Sequence, residues 1–366
     1  MPAAASVDLP DAPLQCPGCE IQLDSIATIG SSDSVEMLSD TKAVYLPDAH
    51  RIVVGPIGEQ GRVAVFDEHG KFLNLLLRKG DGPSEVLSVK LMVPLAGDSL
   101  LIVSDAMKAI RISLSTGKGT DARLPIVTLN AMTDFGSGMV VMNAMADKIP
   151  NLVVLDSAMQ PRLSFGQNMD SVKTDSLAND LDRLQLQLTR APDGTLWTVT
   201  QRYELVLRQW SRDGRLLWQG RRQAAWFPQY HLKDRPVGKL ASQVKIMPLI
   251  TGVRVDSTRR VWLTAMVADS NWIQGDPEEP AEKLFSMGPN GRLVIAYREW
   301  DRFLDGIIEV IDPKSGRVVA RRRLPFAMVA MYPDGLMRRS ITLPSGDIEF
   351  RFYRARLVEQ KRRARE

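Results

Sequence analysis

Val63-Ala-Val-Phe-Asp-Glu-His-Gly-Lys-Phe-Leu73 places a β-rich run, an Asp, a Gly-containing turn and a second β-rich run in one line. The phrase returns as Leu207-Arg-Gln-Trp-Ser-Arg-Asp-Gly-Arg-Leu-Leu217 and as Ile308-Glu-Val-Ile-Asp-Pro-Lys-Ser-Gly-Arg-Val318. Looser copies sit at Ile112-Ser-Leu-Ser-Thr-Gly-Lys118 and Val153-Val-Leu-Asp-Ser-Ala-Met-Gln160. Each reads as a hairpin whose Gly supplies a positive φ and whose Asp or Ser bonds its own backbone. Recurrence at about 40–50 residues marks propellers and other arrays of small sheets.

A second set of turns precedes each hairpin. It runs Leu46-Pro-Asp-Ala-His-Arg-Ile52, Leu95-Ala-Gly-Asp-Ser-Leu100, Asp134-Phe-Gly-Ser-Gly-Met139, Ala191-Pro-Asp-Gly-Thr-Leu-Trp197, Val255-Asp-Ser-Thr-Arg-Arg-Val-Trp262 and Tyr332-Pro-Asp-Gly-Leu336. Short β-branched or aromatic runs flank every one. The count is six four-stranded units, and the sixth lacks a strand. One spare strand, Ile21 to Ile29, stands alone near the N-terminus. An all-β, six-bladed β-propeller follows, closed by that N-terminal strand beside Asp347 to Val358, so that neither end leaves a raw sheet edge.

The 366 residues divide accordingly. Residues 1–20 read as a flexible leader carrying Cys-Pro-Gly-Cys, residues 21–358 as the propeller, and residues 359–366 as a basic tail. Two insertions interrupt the propeller, at 219–244 and 268–306. Lys and Arg number 47 against 43 Asp and Glu, giving a net charge of +4 that owes much to Arg351, Arg354, Arg356 and the tail. That cluster reads as a solvated terminus rather than an anion patch. No run of 18 apolar residues predicts a membrane span, and no secretory signal is legible in the first 14 residues.

Cys16 and Cys19 admit three readings. A redox pair wants its first Cys at a helix N-terminus, whereas a β-leaning run follows here. A zinc site needs two more ligands, which the scattered His50, His69 and His231 do not supply. The favoured reading is a local disulfide staple in an exported protein, outside the core and without metal.

Phe66-Asp-Glu-His-Gly-Lys-Phe-Leu73 followed by Arg78-Lys-Gly-Asp-Gly-Pro-Ser-Glu85 resembles the first blade of bacterial six-bladed propellers related to the NHL-repeat group. Val255 to Trp262 and the opening Cys-x-x-Cys are similar too. The resemblance covers residues 16–358, with Ser84 where the family usually has Gly. It implies a propeller fold and export to the periplasm or cell envelope, the alternative being the cytoplasm. It implies no particular reaction.

Candidate chemistry lies in the insertions, because long excursions on a compact domain are often binding loops. Aromatic and Arg side chains give large contact area with little entropy loss, which singles out Trp226, Tyr230, Arg235, Trp272, Tyr297, Arg298 and Trp300. The same aromatics also suit packing of the loops onto the propeller. Gly80 to Glu85 is a weak phosphate-cradle candidate beside Lys79, without the strand–loop–helix context of a P-loop. The inner strands (87–93, 183–190 and 246–255) are poor in acids, with only Asp182 and Asp256 flanking them. No catalytic residue, metal ligand or cofactor is therefore nominated. The sequence reads as a monomeric, non-catalytic binding or scaffold module that recognises a peptide, glycan or protein on the loop face. A channel-centred metal-dependent hydrolase or lactonase-like enzyme is the alternative, and nucleic-acid binding through basic loops ranks behind both.

Overall fold

A computed structural model of the chain describes residues 5–30, 35, 37–57, 62–104, 107–144, 152–166, 185–228, 247–270, 285–287, 293–295, 304–343 and 347–359. Six sheets of at least four strands carry the fold, and no helix occurs among the described residues. From the inner strand outwards, blade one is Met37–Leu46, Arg51–Ile57, Arg62–Asp67 and Phe72–Leu76. Blade two is Leu91–Pro94, Ser99–Val103, Lys108–Ser113 and Gly119–Arg123. Blade three is Thr128–Gly136, Met139–Ala144, Leu152–Leu155 and Pro161–Phe165. Blade four is Leu186–Arg190, Leu196–Thr200, Leu205–Trp210 and Leu216–Arg222. Blade five is Leu249–Val255, Val261–Ala268, Leu304–Asp312 and Arg317–Leu324. Blade six is Ala330–Met331, Leu336–Thr342 and Ile348–Glu359, completed by Cys19–Ile29.

The closure expected from the strand count is present. Cys19–Ile29 runs antiparallel to Ile348–Glu359, with Ile21 opposite Leu357 and Ile29 opposite Phe350. Ile21 and Ile29 are buried, each in an apolar cluster shared with a neighbouring blade. Alternate residues of the strand face outwards, which explains why it reads as half apolar.

The leader expectation does not hold for residues 5–20. Ala5–Leu9 is a strand running parallel to Leu216–Arg222, a fifth strand on the outer edge of blade four. Val7 packs on the blade four–five core and Leu9 is buried in it, while Ser6 and Asp8 are exposed, so a two-residue period hides between prolines. Further on, Gln15 and Cys16 donate their N–H groups to the carbonyls of Val318 and Val319 at 2.7 and 3.3 Å. The segment thus laces the outer edges of blades four, five and six in turn. Cys16 and Cys19 form a disulfide, and they pack partly buried against the blade five–six core rather than outside it. The tail lies outside the described residues beyond Glu359. Arg351, Arg354 and Arg356 are paired with Glu349, Asp334 and Asp24, which accounts for the C-terminal basic cluster as strand-surface ion pairs.

Between blades, a relay of side chains does what backbone ladders do within them. Lys42 Nζ donates to the Val89 carbonyl (2.8 Å), Lys90 Nζ to Thr128 (3.0 Å) and Asn130 Nδ2 to Leu186 (3.0 Å). Gln187 Nε2 donates to Ile250 (3.3 Å) and Thr251 Oγ1 to Met328 (2.7 Å). Arg338 and Tyr332 of blade six then donate to the Ala43 carbonyl of blade one, at 2.7 and 2.5 Å. Lys90, Asn130, Gln187 and Thr251 sit at the start of an inner strand and Lys42 lies midway along one, and each reaches forward to the next blade. The relay closes on itself.

Two outcomes test this architecture. Deleting residues 1–30 removes two fully buried Ile side chains, worth about 1.5–3 kcal/mol each, and uncovers three blade edges; thermal denaturation is expected to show a Tm lower by several degrees. Thr251→Val keeps the shape but orphans the Met328 carbonyl, and urea unfolding is expected to show a loss of about 1–3 kcal/mol.

Candidate functional site

The ends of both long excursions emerge on one face of the molecule. In blade five the inner strand begins at Leu249, opposite Met266, and the third strand begins at Leu304, opposite Ala268. The outer strand of blade four ends at Arg222, opposite Leu205, at the same end of its sheet. The 268–306 excursion carries a short hairpin, Phe285–Met287 with Leu293–Ile295. Tyr230, Arg235, Trp272, Tyr297, Arg298 and Trp300 lie outside the described residues, so of the seven nominated side chains only Trp226 is placed.

Trp226 is half-buried. Its Nε1–H donates to Glu309 Oε2 at 3.2 Å, and its ring meets Phe227 edge-on at 5.7 Å. It packs against the core shared by blades four and five. Its role is to pin the exit of the first excursion, the packing alternative that the sequence left open for these aromatics.

Beneath it lies a buried ion network that sequence reasoning missed. The Arg222 guanidinium is fully enclosed and all five of its N–H groups are used. It bonds Glu309 through Nε (2.7 Å) and one terminal nitrogen (3.1 Å). It also reaches Asp11 (2.8 Å) and the carbonyls of Leu9 (3.1 Å) and Gln223 (2.8 Å). Arg321 adds Nε to Glu309 at 2.7 Å and a terminal nitrogen to Asp11. Two cations and two anions balance, and that pairing lets the fully enclosed Arg222 and Glu309 stay charged, while Arg321 and Asp11 keep partial contact with solvent. Burial works against the charge on Arg222, but Glu309 and then Asp11 outweigh it and raise its pKa further. Burial likewise favours neutral Asp11, yet the bonds from Arg222 and Arg321 prevail and hold its carboxyl far below the usual range.

A second clamp fixes the base of the other excursion. Arg323 donates to Asp305 (2.5 Å) and to the Ala268 carbonyl (2.6 Å), and Asp305 also accepts the Ser270 N–H (3.2 Å). The signal for both clamps was present as two acids, Asp305 and Glu309, inside the apolar run Leu304 to Ile311, opposite the triplet Arg321 to Arg323.

Other sequence candidates resolve into structural roles. In the Gly80 to Glu85 loop the Gly82 N–H bonds Glu85, the Ser84 N–H bonds Asp121, and Lys108 Nζ is drawn to the Glu85 carbonyl. Its donors are therefore committed internally, as a blade-to-blade connection requires. Asp182 lies outside the described residues. Asp256 accepts from Thr258 N (2.8 Å) and Oγ1 (2.6 Å), Arg260 N (3.0 Å) and Trp262 Nε1 (2.8 Å), bonds that lower its pKa against the opposing effect of burial. No group of three His, Cys, Asp or Glu converges on a metal position among the described residues.

No family model matches the chain, and no curated protein matches it. Among solved structures it is similar to the β-propeller domain of Cps50 (Swd1) from Myceliophteria thermophila, at 11% identity and a TM-score of 0.43, over 91% of this chain and 99% of that one. A chain of a mitotic checkpoint complex gives 10% and 0.43, over 88% and 76% of the two chains. The C-terminal WD40 domain of Sif2 gives 10% and 0.42, over 88% and 82%. Likeness at this level carries no functional argument, and the six-bladed arrangement rests on the strand pairings themselves.

The ion network has a signed pH dependence. Because the folded pKa of Asp11 is depressed, its contribution is complete above the ordinary Asp range near pH 4 and is withdrawn as pH falls below it. Asp11→Asn is expected to melt below the unaltered protein at neutral pH, with the gap narrowing between about pH 4 and pH 2. Thermal melts across that acid limb check it.

Proposed function

We propose that this propeller is a non-catalytic binding or scaffold module that recognises a peptide, glycan or protein through the loop face beside blade five. One observation carries the reading. Polar side chains along the inner strands, Lys42, Lys90, Asn130, Gln187 and Thr251, are spent on the carbonyls of the next blade. Those are the positions from which a propeller would draw channel chemistry, and here they hold the ring. Length and aromatic content are invested in the excursions instead, whose bases are clamped by Arg222–Glu309–Trp226 and Arg323–Asp305. Rigid bases under variable loops are how binding surfaces are commonly built.

The kinship proposed is with bacterial propellers related to the NHL-repeat group, and the compartment proposed is the periplasm or cell envelope. The Cys16–Cys19 disulfide supports an oxidising compartment. The protein is proposed to act as a monomer.

The test uses a displayed peptide library and a glycan array with the full-length protein. Trp272→Ala and Trp300→Ala are expected to weaken capture of a selected ligand by more than about 1 kcal/mol, roughly fivefold, as for aromatic anchors. Their melting is expected to stay close to that of the unaltered protein. Loss of stability with unchanged capture would assign these aromatics to packing.

A further inference from the structure

On the face opposite the excursions, the turns of blades four and five part around an open groove of about 560 Å³, within the roughly 300–1,000 Å³ typical of ligand clefts. Its blade-four wall is a cross-strand row, Trp197 opposite Gln209 and Gln209 opposite Trp218. The two indoles pack at 5.4 Å with their planes tilted by 47°. Trp197 is buried, whereas Trp218 stays partly exposed and lines the groove. The other wall is made by two turns of blade five that bring Arg259, Asp312 and Lys314 to the groove.

The hydrogen-bonding groups at this groove are of both kinds. Gln209 gives its Nε2–H to Thr195 at 3.1 Å, which leaves its carbonyl oxygen as an acceptor. Asp193 takes two bonds from Thr195 on Oδ1, and its Oδ2 stands 4.0 Å from Arg259, outside hydrogen-bond reach. Asp312 Oδ1 accepts the Lys314 N–H at 3.0 Å. Arg259 and Lys314 offer only donors, whereas Asp193, Asp312 and the Gln209 oxygen offer only acceptors. A hydroxyl serves both sets. Three carboxylates, Asp193, Asp256 and Asp312, stand against two cations, Arg259 and Lys314, so the groove carries no positive excess and disfavours an anionic ligand.

Arg259 is also placed at a conformational cost. Its φ is +65°, and its N–H closes the turn on the Asp256 carbonyl. The equivalent residues of blades four and six are Gly194 and Gly335, at φ +82° and +90°, and that of blade one is His50, at φ +52°. Left-handed backbone disfavours a side chain there, yet the chain carries an arginine whose side chain is 81% exposed at the groove's lip.

We propose that this groove is a second ligand site, for a short neutral oligosaccharide. One sugar ring stacks its C–H face on the Trp218 indole, whose π face is electron-rich. Its hydroxyls bond Arg259, Gln209 and Asp193. The site shares no residue with the loop-face surface and stands or falls independently of it.

The experiment titrates the full-length protein with chitotriose and cellotriose, followed by saturation-transfer NMR and tryptophan fluorescence. At least one trisaccharide is expected to bind saturably. Trp218→Ala is expected to weaken it about tenfold, and Arg259→Gly about fivefold. Because Arg259→Gly relieves the turn, its melting temperature is expected to equal or exceed that of the unaltered protein, which separates binding from folding even where Trp218→Ala unfolds. Trisaccharide binding that is lost in Trp272→Ala but kept in Arg259→Gly would place the sugar on the loop face and overturn this proposal, so failure of the two readings is distinguishable. Three results would overturn the proposal: no binding of either trisaccharide, binding that survives Arg259→Gly undiminished, or tighter binding of a sulfated trisaccharide than of its neutral counterpart.

Discussion

A ring of sheets has no backbone ladder running between its members, so whatever joins one blade to the next sets the limit on the whole. Here that junction is a side chain reaching forward to a carbonyl, repeated six times around the circle. Each bond is worth only about 1 kcal/mol net, but leaving its carbonyl dry and unpaired costs more. The bonds also fix spacing, because each donor of one blade meets a carbonyl of the next. Apolar clusters shared between blades supply most of the burial, and the relay supplies the register.

The turns were legible because their chemistry is narrow. Asp, Gly and Pro at fixed offsets have few other uses, and counting them gave six blades and one displaced strand. The relay was not legible for the opposite reason. Lys, Lys, Asn, Gln, Thr and Arg perform one task from places that differ between blades, and a task shared by unlike residues leaves no motif. Ala5–Leu9 escaped notice because five residues between prolines carry too few periods to stand out. Arg222 and Glu309 lie 87 residues apart, and nothing local in either segment announces a partner. Of the nominated aromatics, Trp226 shows how recognition and packing share a signature: the same ring that would anchor a ligand closes the exit of a loop.

Polar investment in the molecule is divided by radius. Near the axis, donors are consumed in joining blades. Further out, the enclosed Arg222–Glu309 pair and the partly exposed Arg321 and Asp11 form a charge-balanced knot between blades four and five and the N-terminal segment. At the rim beside Trp218, among the described residues, side chains keep hydrogen-bonding capacity. A scaffold arranged this way changes what it binds by changing loops and lips, with little consequence for the ring.

The N-terminal lacing also sets a timetable. Cys19–Ile29 leaves the ribosome about 300 residues before its partner Ile348–Glu359, an interval of roughly 15–60 s at ~5–20 residues per second. Ala5–Leu9 waits a shorter time for the outer edge of blade four. Throughout that interval, a strand carrying Ile21 and Ile29 has no sheet to join. Nascent chains of this protein therefore carry a half-apolar strand without its sheet partner for most of their synthesis.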